Sequence, residues 1–260
     1  MTLFKTLSLC AAALMVSAVS VAKELPPAGG KPSNFVVPET RQVSLDNGLK
    51  VTFIPYGTTP KATVRLVTHT GNIDDGGKIW LSDLSFEMLR QGTANQSAQA
   101  LATSVASMGG QIDTSVGLDS SWLGTDVLSE FADDAVAVIA DMVLNANFDE
   151  SDLARIKVDR QRELDVAKSR PSSKATEAFY HKIYGNHPYG QLYPTQESLA
   201  SITAEETAAF VATNLVPNRS HLYVSGVFDE AAVLAAVKSA FGEWQASAEP
   251  QRKTVLAQAG

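Results

Sequence analysis

The chain has 260 residues, 45% of them apolar, and a formal net charge of −7. That is apolar material for one large domain or two small ones. The acidic balance, with no basic arm and no Arg/Lys cluster, argues against nucleic acid and anionic membrane surfaces as partners. The single cysteine is Cys10, so nothing beyond the N-terminal segment can use disulfides or thiolate chemistry.

Residues 1–22 read as a secretory signal. Lys5 supplies the positive start, Leu7 to Val21 is mostly apolar and small, and Val19-Ser20-Val21-Ala22 offers a cleavage site. The alternative is an N-terminal membrane anchor, for which an apolar run of about 15 residues is short. A periplasmic location is therefore expected, with no membrane contact after the signal is removed. Residues 23–40 are rich in Pro, Gly and Lys and should form an extended leader. Residues 41–246 form the main body, and residues 247–260 resemble a linker.

Within the body, Arg41 to Leu45 and Leu49 to Pro55 flank Asp46-Asn47-Gly48, whose Asn-Gly pair tolerates the positive φ of a hairpin turn. A third strand is expected over Ala62 to Thr70, with Val64 and Leu66 on one face. Helices follow over Lys78 to Gln91 and Ala94 to Met108, the latter stopped by Gly109-Gly110. Gln111 to Val127 alternates as one or two strands. Helices are then expected over Ser129 to Leu144, Asp149 to Ser169 and Lys174 to Tyr184. An Asn186-His187-Pro188-Tyr189-Gly190 loop, a helix over Ala204 to Leu215, a strand over His221 to Val227 and a helix over Glu230 to Phe241 complete the series. Strands in clusters separated by helix pairs imply an α+β fold, with helices on one face of a mainly antiparallel sheet.

The segment Trp80 to Thr93, with Asp83, Phe86 and Glu87 ahead of Gly92-Thr93, resembles the active-site helix of the M16 (pitrilysin/insulinase) metallopeptidases. That family reads His-x-x-Glu-His there. Further likeness comes from Leu45-Asp46-Asn47-Gly48-Leu49, Met108-Gly109-Gly110, Asp119 before Trp122, and His187-Pro188-Tyr189-Gly190. Leu215-Val216-Pro217-Asn218-Arg219 and Ser225-Gly226-Val227-Phe228 extend it, so that it runs from about Val43 to Trp244. Residues 41–190 resemble the family's N-terminal region and residues 195–246 the start of its C-terminal region.

The resemblance implies that Asp83 and Glu87 stand where two zinc-binding imidazoles are expected, and Phe86 where the general base is expected. Glu163 stands at the third ligand position. Phe86 accepts no proton, which removes general-base catalysis of the family type. Three carboxylates without an imidazole match zinc poorly and would suit a harder ion such as Ca²⁺ better. The bland reading of Glu163 is an ion pair with Arg160 or Lys157. On a helical projection Trp80, Leu81, Leu84 and Met88 form an apolar stripe, with Asp83, Phe86 and Glu87 in a strip beside it. That strip is either a solvated edge or a surface facing a cleft or partner.

No catalytic and no metal-binding residue is thus expected in this chain. The implied role is the non-catalytic subunit of a zinc metalloendopeptidase pair, meeting peptide substrate and a catalytic subunit with an intact motif, with zinc held only by that subunit. The resemblance is to the N-terminal lobe of such a subunit. The alternatives are an active peptidase with an unconventional metal site and a scaffold that kept only the fold. His187 reads as a loop hydrogen-bonder beside Pro188, and His69, His181 and His221 as structural.

Overall fold

In the computed structural model, Gly30 and residues 36–246 are described. The signal-like segment, most of the leader and the tail from residue 247 lie outside the described residues. Six strands form one sheet: β1 (Arg41–Ser44), β2 (Lys50–Pro55), β3 (Lys61–Thr68), β4 (Ile112–Val116), β5 (Ser121–Leu128) and β6 (Ser220–Gly226). Their order is β1-β2-β6-β3-β5-β4. β6 runs parallel to β2, and every other neighbouring pair is antiparallel.

The two-residue period of a strand sorts the side chains. Val51, Phe53, Ala62, Val64, Leu66, Leu222 and Val224 are fully buried. The residues between them, such as Thr52, Thr63, Arg65, His221 and Tyr223, are only half-buried. Helices cover the first face: α1 (Leu81–Met88), α2 (Ala98–Ser107), α3 (Ala132–Leu144), α4 (Glu150–Ser169), α5 (Pro171–Tyr184), α6 (Gln196–Ser201), α7 (Ala204–Asn214) and α8 (Glu230–Phe241). The fold is α+β, as the alternation predicted. α3 lies against β3, β5 and α8, while α1 is wedged among α7, β4 and α4.

Two apolar cores result. The larger joins the sheet to α2, α3, α7 and α8. The smaller gathers Leu84 and Met88 of α1 with Leu153, Ile156 and Leu164 of α4 and with Leu199 and Ile202. Asn47 does more than turn the first hairpin. Its amide donates to the carbonyls of Phe241 and Trp244 at 2.7 and 2.9 Å, satisfying acceptors that the end of α8 would otherwise leave open.

Several boundaries differ from expectation, each for a local reason. α1 begins at Leu81 rather than Lys78, because Trp80 adopts a left-handed φ of 72°. α2 begins after Ser97, which caps it by accepting from Ala100 N. The preceding residues are held by isolated bridges between Gly92 and Ser97 and between Thr93 and Ala146. The stretch over Ser129 to Phe131 is a 3-10 turn ahead of α3. α5 begins earlier than expected, with Pro171 in its first turn, where a missing N–H costs nothing. The short α6 was not anticipated from the sequence.

Candidate functional site: the α1–α4 junction

The start of α1 is held by a remote carboxylate. Asp75 is buried and accepts from Ser82 N at 2.8 Å and from Trp80 N at 3.0 Å. It thereby serves backbone donors that Trp80, with no side-chain acceptor, cannot. Burial raises the Asp75 pKa from 3.8 to about 6 despite those bonds, and the nearby Asp83 adds to the rise. The indole of Trp80 donates to the Leu192 carbonyl at 3.2 Å and meets Tyr193 edge-on, so the entry to the helix is tied from two sides.

Asp83 and Glu87, one turn apart on α1, face α4. Asn72 donates to Asp83 at 2.7 Å and to Ser82 Oγ at 3.0 Å. Burial raises the Asp83 pKa, opposed by the Asn72 bond and the charge of Arg160. Glu87 accepts from Arg160 Nε at 3.0 Å, and Glu163 accepts from Arg160 Nη1 at 2.8 Å. One guanidinium therefore bridges the two helices and serves two of the three carboxylates. Burial alone would lower the Arg160 pKa, but Glu87, Asp83 and Glu163 outweigh it and raise it. The ion pair expected for Glu163 is present with Arg160. That Arg160 also reaches Glu87 was not foreseen.

Phe86 is not part of a polar strip. It is 1% exposed and belongs to the larger core together with Leu89. The strip read from the helical projection is corrected accordingly: α1 is buried on both flanks, and even Ser82 and Ser85 are sealed at 0% exposure. Asp83 and Glu87 occupy the half-buried seam between the flanks, held by Asn72 and Arg160. Asn72 and Asp75 were missed as well. The Asp74-Asp75-Gly76-Gly77 run just ahead of the helix is the signal that could have pointed to a cap.

Two other stretches singled out in the sequence meet here. The Tyr189 hydroxyl donates to Asp119, joining the His187–Gly190 turn to the loop before β5. His187 accepts from Tyr189 N at 3.2 Å and caps its own 3-10 turn, as the loop reading of that histidine anticipated.

Comparison with known proteins accords with this geometry. The family model described as insulinase (peptidase family M16) matches residues 51–194, and that of the peptidase M16 inactive domain matches residues 201–259. An uncharacterized zinc protease, YmxG of Bacillus subtilis, is 25% identical over 79% of this chain and 51% of its own length. The probable mitochondrial-processing peptidase subunit beta of Schizosaccharomyces pombe is 22% identical over 82% of this chain and 48% of its own. Thus the chain spans about half the length of these curated relatives. Among solved structures, a Helicobacter pylori protease superposes with a TM-score of 0.76 at 18% identity, over 86% of this chain and 55% of that one. The periplasmic protease PqqL of Escherichia coli gives 0.75 at 16% identity, over 85% of this chain and 25% of that one. Among the described residues no helix is long and apolar enough to cross a membrane. With more than half its residues matched, this peptidase-like chain belongs to the insulinase-type M16 family.

Proposed function

We propose that the chain is a non-catalytic member of this family, acting in the periplasm as the peptide-binding partner of a zinc-bearing subunit. The observation that carries this reading is the bridge from Arg160 to Glu87 and Glu163. On the family's frame, Asp83, Phe86 and Glu87 replace the two imidazoles and the general base. The donors are then carboxylates only, two of them already paired with one guanidinium of the protein itself, and Phe86 is packed in the core. Such a set fits zinc poorly. Among the described residues no cluster of three or more His, Asp or Glu is disposed to hold a metal ion.

Peptide handling is supported by the position of β4. It is the last strand of the sheet, packed beside α1, and its outer backbone edge pairs with no strand among the described residues. An extended peptide adds to such an edge by main-chain hydrogen bonds. Periplasmic residence is supported by the signal-like residues 1–22 and by the likeness in fold to PqqL. The test is direct. The purified protein should hold no zinc and cleave no peptide, and chelator-sensitive cleavage should arise only on mixing with a His-x-x-Glu-His subunit. Stoichiometric zinc on this chain alone, with turnover abolished by Glu163→Gln, would overturn the proposal.

A further inference from the structure

On the uncovered face of the sheet, away from α1, lies a cleft of about 440 Å³ lined by Gly48, Lys50, His69, Asn218, Arg219, Ser220 and His221. Strand register builds it. Lys50 on β2 is the Cα partner of His221 on β6, and His221 is in turn the partner of Val67 on β3. His69, just past the end of β3, is placed by its N–H bond to the Arg219 carbonyl at 2.9 Å. Neighbours in register point to the same face, so these basic side chains converge.

The cleft carries no acidic lining residue, although the chain as a whole is acidic. Arg219 is occupied: its guanidinium pairs with Asp74 at 3.1 Å and donates to the carbonyl of His69 and to Asn214. Its buried Nε, however, has no acceptor among the described residues. His221 is fixed as a wall, with Nε2 at 2.8 Å from Thr52 Oγ1 and its ring stacked on Tyr223 at 4.2 Å. Burial lowers its pKa, and the charges of Lys50 and His69 lower it further. Arg219 has its anion in Asp74, whereas no carboxylate lines the cleft beside Lys50 and His69. Lys50 Nζ and the His69 ring make no hydrogen bond or ion pair among the described residues.

The geometry points to a subsite for a carboxylate of a bound peptide, held by Lys50 and His69. This rests on the reading above that the chain binds peptide, though at a place separate from the β4 edge, since β5, β3 and β6 lie between β4 and β2, and it goes beyond that reading in naming a chemical preference. A carboxylate fits better than a phosphate for two reasons. The cleft is built on strand ends, the Gly48 turn and the single 3-10 turn Pro217–Arg219, whose first residue has no N–H, rather than on the convergent N–H groups of an α-helix N-terminus that favour phosphate. The acidic body of the protein also disfavours multiply charged ligands. The carboxylate could be the C-terminus of the peptide or an acidic side chain.

The experiment uses the full chain and three short peptides that carry an uncharged dye at the N-terminus and no other acidic group: one with a free C-terminus, its C-terminal amide, and that amide with one internal Glu. Binding is followed by fluorescence anisotropy. The free-acid peptide, or the Glu-bearing amide, should bind about tenfold more tightly than the plain amide, a charge-assisted hydrogen bond's worth. Lys50→Met and His69→Asn, both at exposed positions, should erase that difference without altering binding of the plain amide. Whichever peptide gains identifies the source of the carboxylate. Equal binding of all three peptides would overturn the subsite while leaving peptide binding intact. So would an advantage that survives both substitutions, or displacement by inorganic phosphate more readily than by acetate at matched ionic strength. Failure of every peptide to bind would overturn the peptide-binding reading and the subsite with it.

Discussion

On one flank of α1, Phe86 and Leu89 are sealed into the core that joins helices to sheet. Between that flank and the Leu84/Met88 flank, Asp83 is held by the Asn72 amide and Glu87 by the Arg160 guanidinium of α4, both half-buried. Eight residues of helix thus carry two kinds of contact, one dry and one ionic. The dry flank contributes through area removed from water, at roughly 25 cal/mol per Å². The ionic flank contributes far less net energy, because desolvating each charge offsets much of its attraction. The lesson is that stability and chemical identity are separable on one helix. Core packing fixes α1 in place, while the seam determines what charge stands between α1 and α4.

This contrast can be broken most severely at Phe86. Truncation to Ala should cost about 3–5 kcal/mol by leaving a cavity in a packed core, read as a fall in the urea midpoint. A loss under ~1 kcal/mol would mean that the flank is not packed as described. At the helix start, folded Asp75 keeps its proton up to about 6, whereas an unperturbed aspartate releases it at 3.8. The folded state then binds the extra proton, so this group adds stability in acid that is lost as pH rises through about 6. The span is of order 3 kcal/mol. Asp75→Asn should accordingly cost more near ~pH 4 than near ~pH 8, and a cost that grows with pH would contradict the direction. On the ionic flank, Arg160→Met should cost about 1–2 kcal/mol, since it leaves Glu87 half-buried without its cation. The smallest effect belongs to Arg162, paired with Asp159 at an exposed position. Arg162→Ala should shift stability by less than ~0.5 kcal/mol, and a cost matching that of Arg160 would erase the distinction between seam and surface.

Much of the fold was legible because it rests on local signals. The alternation in β3, the Asn47-Gly48 turn and the apolar stripe Leu84/Met88 each appear in the structure where their period placed them. The environment of Phe86 was not legible. Asp83 and Glu87 placed it in a polar strip on the helical projection, and only tertiary packing turns Phe86 into the core. The same holds for Arg160. Spacing along α4 suggested its pairing with Glu163, but nothing local tells that α1 brings Glu87 within reach. The start of α1 at Leu81 rather than Lys78 was hidden too, because its backbone donors are served by Asp75, outside the usual capping position. Local period is readable in one chain segment, whereas partnership between segments is not.

The order β1-β2-β6-β3-β5-β4 has a consequence for biogenesis. β2 and β3 never touch as neighbours, and β6, from residues 220–226, is the strip that joins them. Until those residues are in place, the polypeptide can hold only two disconnected fragments, a hairpin and a three-stranded piece. Each has an open border that invites wrong pairing. Closure must therefore be late and slow, because the joining strand makes contacts across most of the chain. A chain truncated before residue 220 should depend on holding factors that the finished one does not need.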